Sequence, residues 1–350
     1  MIRNILICTT QVPFTSGGAE GQVSGLRGAL IAAGYTAEIV AMPFRWNPPV
    51  EIMRSTLMWR LLNLSESNGK PVDLIIGMKF PAYTVAHPRK VLWVIHQHRS
   101  AYNLWGTQFD DLSIHSEGIQ VRDFIQRCDQ KFLSGAKRIF AESATVAARL
   151  RRYNCLESEI LYHPPPRSES LFAGALGDFV FSPGRLEPQK RPELLIEAMS
   201  YVRAPIKLLL AGGSADFRRY EALVAQYRLR ERVELLGYVE ENRIVELYAN
   251  ALAVAYTPFD EDYGYVTLEA MQSGRPVVVT SDSGGPREFV EDAATGFIVS
   301  PEPREIAAAI DKLHSDRGRA LLMGKRGQEK VRSLNLSWPQ VVEKLISAAT

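Results

Sequence analysis

The chain has 350 residues, which is too long for one ordinary hydrophobic core and predicts two domains. Hydrophobic residues make up 46% of it and charged residues 23%, a composition typical of globular protein rather than of a disordered chain. The 41 basic side chains nearly balance the 39 acidic ones, which argues against a nucleic-acid partner because such proteins carry a basic stripe.

The cysteine spacing and the apolar runs do not indicate export or a membrane span. Cys8, Cys128 and Cys155 lie far apart, which fits reduced thiols in the cytosol better than disulfides or a zinc site. The start of the chain, MIRNILICTT, has a short apolar run and no cleavage-type site, so we predict no signal peptide. No apolar stretch approaches the ~18 residues of a membrane-spanning helix. We therefore expect a cytoplasmic protein, or one that associates with the inner face of the membrane.

Short apolar and β-branched runs alternate with longer helical patterns from one end of the chain to the other. The predicted strands are 5–8, 38–42, 73–76, 91–95 and 138–141 in the first half, and 179–182, 206–211, 233–236, 252–256 and 277–280 in the second. The apolar spacing of residues 20–33 predicts a helix, and Gly34 is typical of a residue that ends one. This alternation predicts an α/β fold of two doubly wound, Rossmann-like domains with parallel sheets.

A segment rich in proline and serine, YHPPPRSESLFAGALGD at 162–178, marks the boundary between the two halves. We predict an N-terminal domain over 1–165, a C-terminal domain over 166–334, and a last helix over 335–350 that packs back on the N-terminal domain. Pro339 suits the first turn of that helix. Two such domains would leave a cleft between the carboxyl ends of their strands, where open α/β sheets bind ligands.

Two cations follow a predicted strand in SPGRLEPQKRPELL. Arg185 and Lys190 lie on the loop before Pro192, which suits the first turn of a helix. Together they could neutralise a diphosphate, Arg185 as a two-pronged donor and Lys190 as a point charge. The alternative is a solvated basic loop without a ligand.

Glycine pairs stand between a strand and a helix in both halves. Gly284 and Gly285 lie in SDSGGPREFV, and Gly17 and Gly18 lie in TSGGAEGQV. Glycines before a helix leave main-chain amides accessible, and the helix dipole favours an anion there. One such pair is weak evidence, because glycine turns after strands are common.

Two carboxylates, Glu261 and Glu269, lie eight positions apart in EDYGYVTLEAM. A helix is predicted over the second part of this stretch, closed by Gly274. Carboxylates accept hydrogen bonds from vicinal hydroxyls, so the pair could hold two sugar rings of one ligand. The alternative is that both glutamates are surface side chains without a ligand.

The order and spacing of these motifs resemble retaining glycosyltransferases of the large family 4, which have the GT-B fold. The similarity covers nearly the whole chain, from GGAEGQVSGLRGALIAAGYTAEIV through KLLLAGG to ALAVAYTPFDEDYGYVTLEAMQSGRPVVVTSDSGGPRE. The resemblance implies an N-terminal domain that binds the acceptor and a C-terminal domain that binds a nucleotide sugar. It further implies that Arg185 and Lys190 bind the diphosphate, Glu269 the ribose and Glu261 the transferred hexose. The amides of the two glycine pairs would bind the phosphates or the sugar.

A histidine after a predicted strand matches the family's histidine at the acceptor edge of the sugar. This is His96 in VLWVIHQHR, with His98 as a weaker rival and a purely structural histidine as the alternative. The chain departs from the common pattern at Asp262, where a glycine is usual, and at YHPPP, where many members have an asparagine–glycine turn. The EDYG variant resembles some mannosyltransferases, a slight lean toward GDP-mannose.

The resemblance implies transfer of a hexose from a UDP- or GDP-sugar to a glycan, lipid-linked or small-molecule acceptor, without a metal or other cofactor. The DED run at 260–262 could instead be read as a metal site. Rival functions are a two-carboxylate hydrolase, a GT-B epimerase and a non-catalytic partner that binds nucleotide sugars. A dinucleotide dehydrogenase would need a GxGxxG fingerprint after the first strand, which is absent from the sequence. The segment 48–64 is either a helix on the first sheet or a membrane-surface helix.

Overall fold

A computed structural model describes residues 2–15 and 17–349 of the chain. The chain divides into two compact units, each with its own hydrophobic cores. The N-unit contains the residues up to Pro166 together with those from Leu336 onward, and the C-unit is Arg167–Asn335. The chain thus passes from one unit to the other twice.

The described residues of the N-unit form eight strands and four helices, followed near the end of the chain by one more helix. The strands are β1 (Asn4–Gln11), β2 (Thr36–Pro43), β3 (Glu66–Ser67), β4 (Lys70–Pro71), β5 (Leu74–Lys79), β6 (Lys90–His96), β7 (Arg138–Ala141) and β8 (Glu159–Ile160). The helices are α1 (Gly18–Ala32), α2 (Val50–Leu61), α3 (Gly118–Phe132) and α4 (Ala144–Asn154). Strands β3 and β4 form a separate antiparallel hairpin.

The N-unit sheet is parallel, with the strand order β2-β1-β5-β6-β7-β8. Both of its faces are buried, as the alternation along β6 shows. Val91 and Trp93 belong to the core that contains α1, whereas Leu92 and Val94 belong to the core that contains α3. Successive strand residues point to opposite faces, so a sheet covered on both sides needs the continuous apolar run that this sequence has.

The C-unit repeats this architecture with six strands and seven helices. Its strands are β9 (Phe179–Pro183), β10 (Lys207–Ala211), β11 (Val233–Gly237), β12 (Ala253–Ala255), β13 (Val277–Thr280) and β14 (Gly296–Val299). Its helices are α5 (Pro192–Met199), α6 (Phe217–Gln226), α7 (Glu241–Asn250), α8 (Tyr265–Gln272), α9 (Gly285–Phe289), α10 (Pro303–Ser315) and α11 (Arg317–Ser333). The final helix of the chain, α12 (Trp338–Ser347), belongs to the N-unit.

Strand order decides where each unit can hold a ligand. The C-unit sheet is parallel with the order β11-β10-β9-β12-β13-β14, which is the Rossmann order. From β9 the chain adds β10 and β11 on one side of that strand, and it then adds β12, β13 and β14 on the other side. The strand order therefore reverses between β9 and β12. In the N-unit the same reversal falls between β1 and β5. Ligands of doubly wound sheets bind outside the carboxyl ends of the strands at this switch point.

The predicted fold class, two doubly wound α/β domains with parallel sheets, is confirmed. Each of the ten predicted strands is present, and the predicted helix over 20–33 is α1, which begins at Gly18 and is followed by Gly34 at φ +89°. The sequence did not predict β8, β14 or the hairpin of β3 and β4. All three are short, and β8 and the hairpin strands have only two residues each, too few for an apolar period.

The segment 48–64 contains α2, which covers the N-unit sheet. Ile52 and Trp59 are fully buried, and Trp59 packs on a core cluster that includes β1 and β5 residues. On its other face Leu57, Met58 and Leu61 are exposed. The covering role is thereby confirmed, and surface association with a membrane stays a prediction. No helix in the described part of the chain is long and apolar enough to cross a membrane.

Candidate functional site

The candidate site of the C-unit begins where β9 ends, at the switch point. Two glycines let the main chain turn there: Gly184 has φ +134° and Gly212, after β10, has φ +144°. A Cβ on Gly212 would lie 2.0 Å from the carbonyl oxygen of Gly184, so any other residue would push the two loops apart. The amide of Gly184 donates to the carbonyl of Ala211 at 2.8 Å. This close approach fixes the backbone that carries Arg185.

Arg185 is exposed for half of its side chain and pairs with Glu187, with 2.9 Å between Nη1 and Oε1. An exposed pair of this kind contributes little to stability, because water and salt screen both charges. The guanidinium can therefore exchange Glu187 for a more highly charged anion at small cost. This exposed position of Arg185 is compatible with its predicted role in binding a diphosphate.

Lys190 lies at the end of a short 3-10 turn and forms an ion pair with Glu261. Their Nζ and Oε2 atoms are 2.5 Å apart, and both side chains are mostly buried. Burial alone would lower the pKa of Lys190, but Glu261 and Tyr256 together raise the pKa above its usual value. The structure thus brings together the predicted diphosphate cation and the predicted hexose carboxylate, a contact that the sequence spacing did not show.

Arg191 was not among the predicted site residues, although its hydrogen bonds connect two loops of the site. It sits in the left-handed region at φ +53°, between the 3-10 turn and α5. Its guanidinium donates to both carboxylate oxygens of Asp282 at 2.7 Å and to the carbonyls of Thr257 and Pro258. Burial raises the pKa of Asp282, but hydrogen bonds from Arg191 and its charge bring it below the usual value. Arg191 therefore ties the loop after β12 to the end of β13.

The pair Gly284–Gly285 supports the loop that carries Glu261. Gly284 has φ +72°, and a Cβ there would lie 2.5 Å from the carbonyl oxygen of Glu261. A Cβ on Gly285 would lie 2.3 Å from the carbonyl of Tyr263. The amide of Gly285, predicted to face a phosphate or sugar, is instead donated to the Glu261 carbonyl at 2.8 Å, and the Glu261 amide donates to Ser283 at 2.9 Å. The glycines are thus needed so that two loops can run side by side.

Glu269 lies in the second turn of α8 and its side chain is only 1% exposed. Its carboxylate accepts hydrogen bonds from the Tyr248 hydroxyl at 2.8 Å and from Nη1 of Arg167 at 3.1 and 3.2 Å. Burial raises its pKa even though Arg167 and Tyr248 oppose the shift. Arg167 also pairs with Glu241, with 2.6 Å between Nε and Oε1. The carboxylate predicted to reach the ribose is thus covered by partners that the sequence did not reveal.

Gly17 and Gly18 lie at the switch point of the N-unit, between β1 and α1. Gly17 has an extended backbone at φ −166°, and α1 begins at Gly18 without a side-chain cap. The carboxylate of Glu20 lies close by, 3.7 Å from where a Cβ of Gly17 would stand, and pairs with Lys79 at 3.5 Å. A carboxylate at this helix start favours a hydroxyl over a phosphate as ligand, since two anions repel each other.

His96 ends β6, which lies one strand away from the same switch point because β5 borders that point. Its Nδ1 lies 2.7 Å from the carbonyl of Gln97. A carbonyl can only accept, so Nδ1 carries the hydrogen of the neutral ring and Nε2 does not. The rival His98 is partly buried and lies edge-on against Phe80, and burial lowers its pKa to about 4.

A buried chain of hydrogen bonds stands behind His96. The Asp129 carboxylate accepts from the hydroxyls of Tyr83 at 3.0 Å and Tyr102 at 2.8 Å. Asn154 donates to the Tyr102 oxygen at 3.2 Å and accepts from Gln97. Burial raises the pKa of Asp129 to about 7, although both tyrosines oppose the shift. The network fixes Gln97, the residue whose carbonyl holds the His96 ring.

The described residues contain no group of three or more His, Cys, Asp or Glu side chains arranged to hold a metal ion. The residues of the acidic run at 260–262 make separate contacts. Asp260 and Glu261 lie along the end of β13 through main-chain hydrogen bonds, and the Glu261 carboxylate is paired with Lys190.

Comparison with known proteins adds a family match within the C-unit. Residues 175–330 match the family "Glycosyl transferases group 1". D-inositol 3-phosphate glycosyltransferase of Nocardia farcinica is 33% identical over 176 residues, 47% of this chain and 38% of that protein. The human alpha-1,3/1,6-mannosyltransferase ALG2 is 27% identical over 184 residues, 48% of this chain and 44% of that protein. The chain spans less than half of the length of these relatives.

Among solved structures, sucrose-phosphate synthase from Thermosynechococcus elongatus resembles the whole chain. Its TM-score is 0.73 at 22% identity, and the match covers 99% of this chain and 100% of that one. At this identity the likeness shows a shared fold, and that fold is the GT-B type of two Rossmann-like domains. The family match and the relatives together show that the C-unit is similar to glycosyltransferases.

Proposed function

We propose that the protein is a retaining glycosyltransferase that moves a hexose from a nucleoside-diphosphate sugar to an acceptor. The observation that supports this most is the contact between Lys190 and Glu261 at the switch point of a unit that matches the group 1 family. A cation suited to a diphosphate and a carboxylate suited to sugar hydroxyls stand side by side, as phosphate and hexose do in a sugar nucleotide.

Catalysis in this proposal consists of positioning and charge neutralisation. Lys190 and Arg185 stabilise the negative charge that develops on the diphosphate as the bond to the sugar breaks. Glu261 and Tyr256 raise the pKa of Lys190, which favours its charged form. The acceptor hydroxyl bonds to the anomeric carbon on the face from which the diphosphate leaves, as the bond from that carbon to the diphosphate oxygen breaks. The hydroxyl proton passes to the departing diphosphate, so the anomeric configuration is retained without a protein nucleophile. His96 acts where the transferred sugar meets the acceptor.

Donor and acceptor follow from weaker signals. The EDYG run at 261–264 and the name of one relative favour GDP-mannose slightly, and UDP-sugars are the alternative. The acceptor is a glycan, a lipid-linked sugar or a small molecule. The exposed Leu57, Met58 and Leu61 of α2 offer an apolar surface with which the protein could meet a membrane that carries a lipid-linked acceptor. No metal takes part in the proposed reaction.

Thermal unfolding with and without UDP, GDP, ADP and their sugars tests the proposal first. A ligand that binds only the folded state at about 100 times its Kd adds about 2.7 kcal/mol of stability. We expect one nucleoside diphosphate to shift the transition of the wild-type protein and to shift that of Lys190→Met less. Chelation of divalent ions should leave the shift unchanged.

The second step is a transfer assay with the nucleotide sugar that binds. NMR of the product should show the anomeric configuration of the donor, and water alone should accept the sugar slowly. Absence of any nucleotide-dependent shift would contradict the transferase proposal. Binding without transfer to any of the three acceptor classes would favour a non-catalytic partner, and fast hydrolysis would favour a hydrolase.

A further inference from the structure

The burial of Glu269 leads to an inference that rests on the proposed function. We propose that Arg167 competes with the ribose of the donor nucleotide for the Glu269 carboxylate, so that this arginine sets the affinity for nucleotides. The donor then binds only as the guanidinium is released from Glu269. Arg167 acts through Glu269 and is a positioning residue.

The hydrogen bonds at Glu269 leave no room for a ribose diol. A carboxylate offers about four acceptor positions on its two oxygens. The Tyr248 hydroxyl and the two contacts from Nη1 of Arg167 use three of them, and a vicinal diol needs two. The side chain is also 1% exposed, so a ligand cannot approach it past its present partners. One of the two partners must move.

Arg167 is the partner that can move. Tyr248 is completely buried within α7 and packs edge-on against Phe181 at 5.2 Å. The Arg167 side chain is 30% exposed and lies outside any helix or strand. Glu241, whose side chain is 62% exposed, holds the other edge of the guanidinium at 2.6 and 3.1 Å. After release from Glu269 the arginine therefore keeps an anionic partner in contact with solvent.

The same contact explains how a buried carboxylate stays able to bind hydroxyls. Burial raises the pKa of Glu269, and the charge of Arg167 counters that shift in the empty protein. Arg167 and Tyr248 thus favour the charged form of Glu269 in the empty protein. Hydrogen bonds from a ribose diol would favour the charged form in the same way once they replace those of Arg167.

The test compares Arg167→Gln with wild type on two ligands that differ only in the diol. One is the nucleoside diphosphate that the wild-type protein binds best, and the other is its 2′,3′-dideoxy analogue. Titration calorimetry at about pH 8 limits protonation of Glu269 in the variant. The matched control is Arg243→Gln, since Arg243 pairs with Glu246 on α7 and touches neither Glu269 nor Tyr248 in any described contact.

Loss of the competitor should strengthen binding of the ribonucleotide by about tenfold, because hydrogen bonds to a charged group are of that size. Binding of the dideoxy analogue should stay unchanged, and Arg243→Gln should match wild type on both ligands. Arg167→Lys, which keeps the charge but not the two-pronged geometry, should give a smaller gain. If Arg167→Gln is unstable, Arg167→Lys provides a second variant with which to make the comparison.

Two results would overturn the inference. Equal changes for both ligands would mean that Arg167 does not act through the diol, and weaker binding of the ribonucleotide would mean that Arg167 assists it. These results leave the proposed function intact, because wild type still binds the nucleotide. Absence of binding by wild type and by both Arg167 variants would instead overturn the proposed function, and the competition with it.

Discussion

Glu261 and Glu269 are eight positions apart, yet their surroundings differ in the property that decides their use. Glu261 is 21% exposed and pairs with Lys190, whereas Glu269 is 1% exposed and is enclosed by Tyr248 and Arg167. A partly exposed carboxylate can meet a ligand while it keeps its partner, but an enclosed one must first lose a partner. The two residues should therefore respond differently to ligands that contain one or two sugar rings.

The first prediction concerns Glu261→Gln and Glu269→Gln. Loss of Glu269 should change the affinity for both the nucleoside diphosphate and the sugar donor, because both ligands carry ribose. Loss of Glu261 should spare the diphosphate and weaken binding or turnover of the sugar donor by about tenfold or more. Calorimetry with the diphosphate, combined with transfer kinetics, distinguishes the two. Glu246→Gln, on the exposed face of α7, is the control. Similar mild effects of both changes on both ligands would mean that neither carboxylate contacts the donor.

The second prediction concerns the two cations. Arg185→Ala should weaken binding of the nucleoside diphosphate. The free energy of unfolding in urea should stay within about 0.5 kcal/mol of wild type, since the exposed pair with Glu187 contributes little. Lys190→Met should weaken binding as well, and it should also destabilise the fold because Glu261 is left partly buried without a cation. Unchanged diphosphate affinity in both variants would rule out this pair as the phosphate ligands.

Residue types, loop positions and a family resemblance were enough to single out Arg185, Lys190, Glu261 and Glu269 as candidates. They were not enough to find Arg167, Arg191 or Tyr248. These three act through contacts with residues 21 to 102 positions away in the chain, so no local spacing marks them. Arg191 also adopts a left-handed backbone conformation that its sequence neighbours do not demand.

At the scale of elements, the turn from β13 into α9 holds the Glu261 loop by close backbone contact. The third prediction is that Gly284→Ala destabilises the C-unit by roughly 2 kcal/mol or more, since a Cβ at φ +72° is strained and would meet the Glu261 carbonyl. Circular dichroism during urea unfolding measures the loss, and transfer of the sugar should fall as Glu261 shifts. Gly28→Ala in α1 is the control, because no described atom outside its own helix lies within 4 Å of the new Cβ.

The network around Asp129 joins α3 to α4 and to the end of β6, and it titrates within an accessible range. Its pKa of about 7 lies above the ordinary 3.8, so the folded protein holds a proton that the unfolded chain has released. The stability that this group contributes is complete below about pH 3.8 and is lost as the pH rises through about 7.

The fourth prediction follows from that sign. Between about pH 4 and 7 the free energy of unfolding should fall by up to ~1.4 kcal/mol per pH unit more steeply in wild type than in Asp129→Asn. Asparagine keeps an acceptor and a donor for the two tyrosine hydroxyls but does not titrate. Urea unfolding at several pH values measures the slopes. Asp123→Asn, on the exposed face of α3, should keep the wild-type slope. Equal slopes in Asp129→Asn and wild type would show that Asp129 ionises normally.

Elements with several apolar residues were predictable, and elements that depend on context were not. The runs of β6 and β13 are continuous apolar strands that both sheet faces require, so their residues identify them directly. Strand β8 is the two residues Glu159 and Ile160, and only the neighbouring β7 makes it a strand. The contact of Lys190 with Glu261 likewise depends on loops. Glycines set the path of these loops, and loops have no repeating apolar pattern that a sequence could reveal.

At the scale of the whole molecule, the chain returns to the N-unit in its last fifteen residues, from Leu336 onward. Helix α12 buries Val341, Val342 and Leu345 in the core shared with α1. Gly25 of α1 leaves space for the Trp338 indole, since a Cβ there would come within 2.3 Å of the ring. An N-unit without α12 would expose this apolar surface, so α12 is part of the hydrophobic core of the N-unit.

The fifth prediction uses the distribution of tryptophan to separate the two units. All five tryptophans belong to the N-unit: Trp46, Trp59, Trp93, Trp105 and Trp338. Leu345→Ala should destabilise the N-unit by about 2–5 kcal/mol, the usual cost of removing a fully buried leucine. Tryptophan fluorescence during urea unfolding should report that loss, whereas Glu343→Ala on the exposed face of α12 should leave the midpoint unchanged.

Nucleotide binding provides the matching readout for the C-unit, because Arg185, Lys190 and Glu269 all lie within Arg167–Asn335. If that unit has a core of its own, affinity for the nucleoside diphosphate should be the same in Leu345→Ala as in wild type below the first unfolding midpoint. Transfer should fail sooner, at the urea concentration where tryptophan fluorescence changes, since the N-unit supplies His96. Simultaneous loss of fluorescence, binding and transfer in both proteins would mean that the two units unfold as one, and the assignment of each function to its own unit would lose this support.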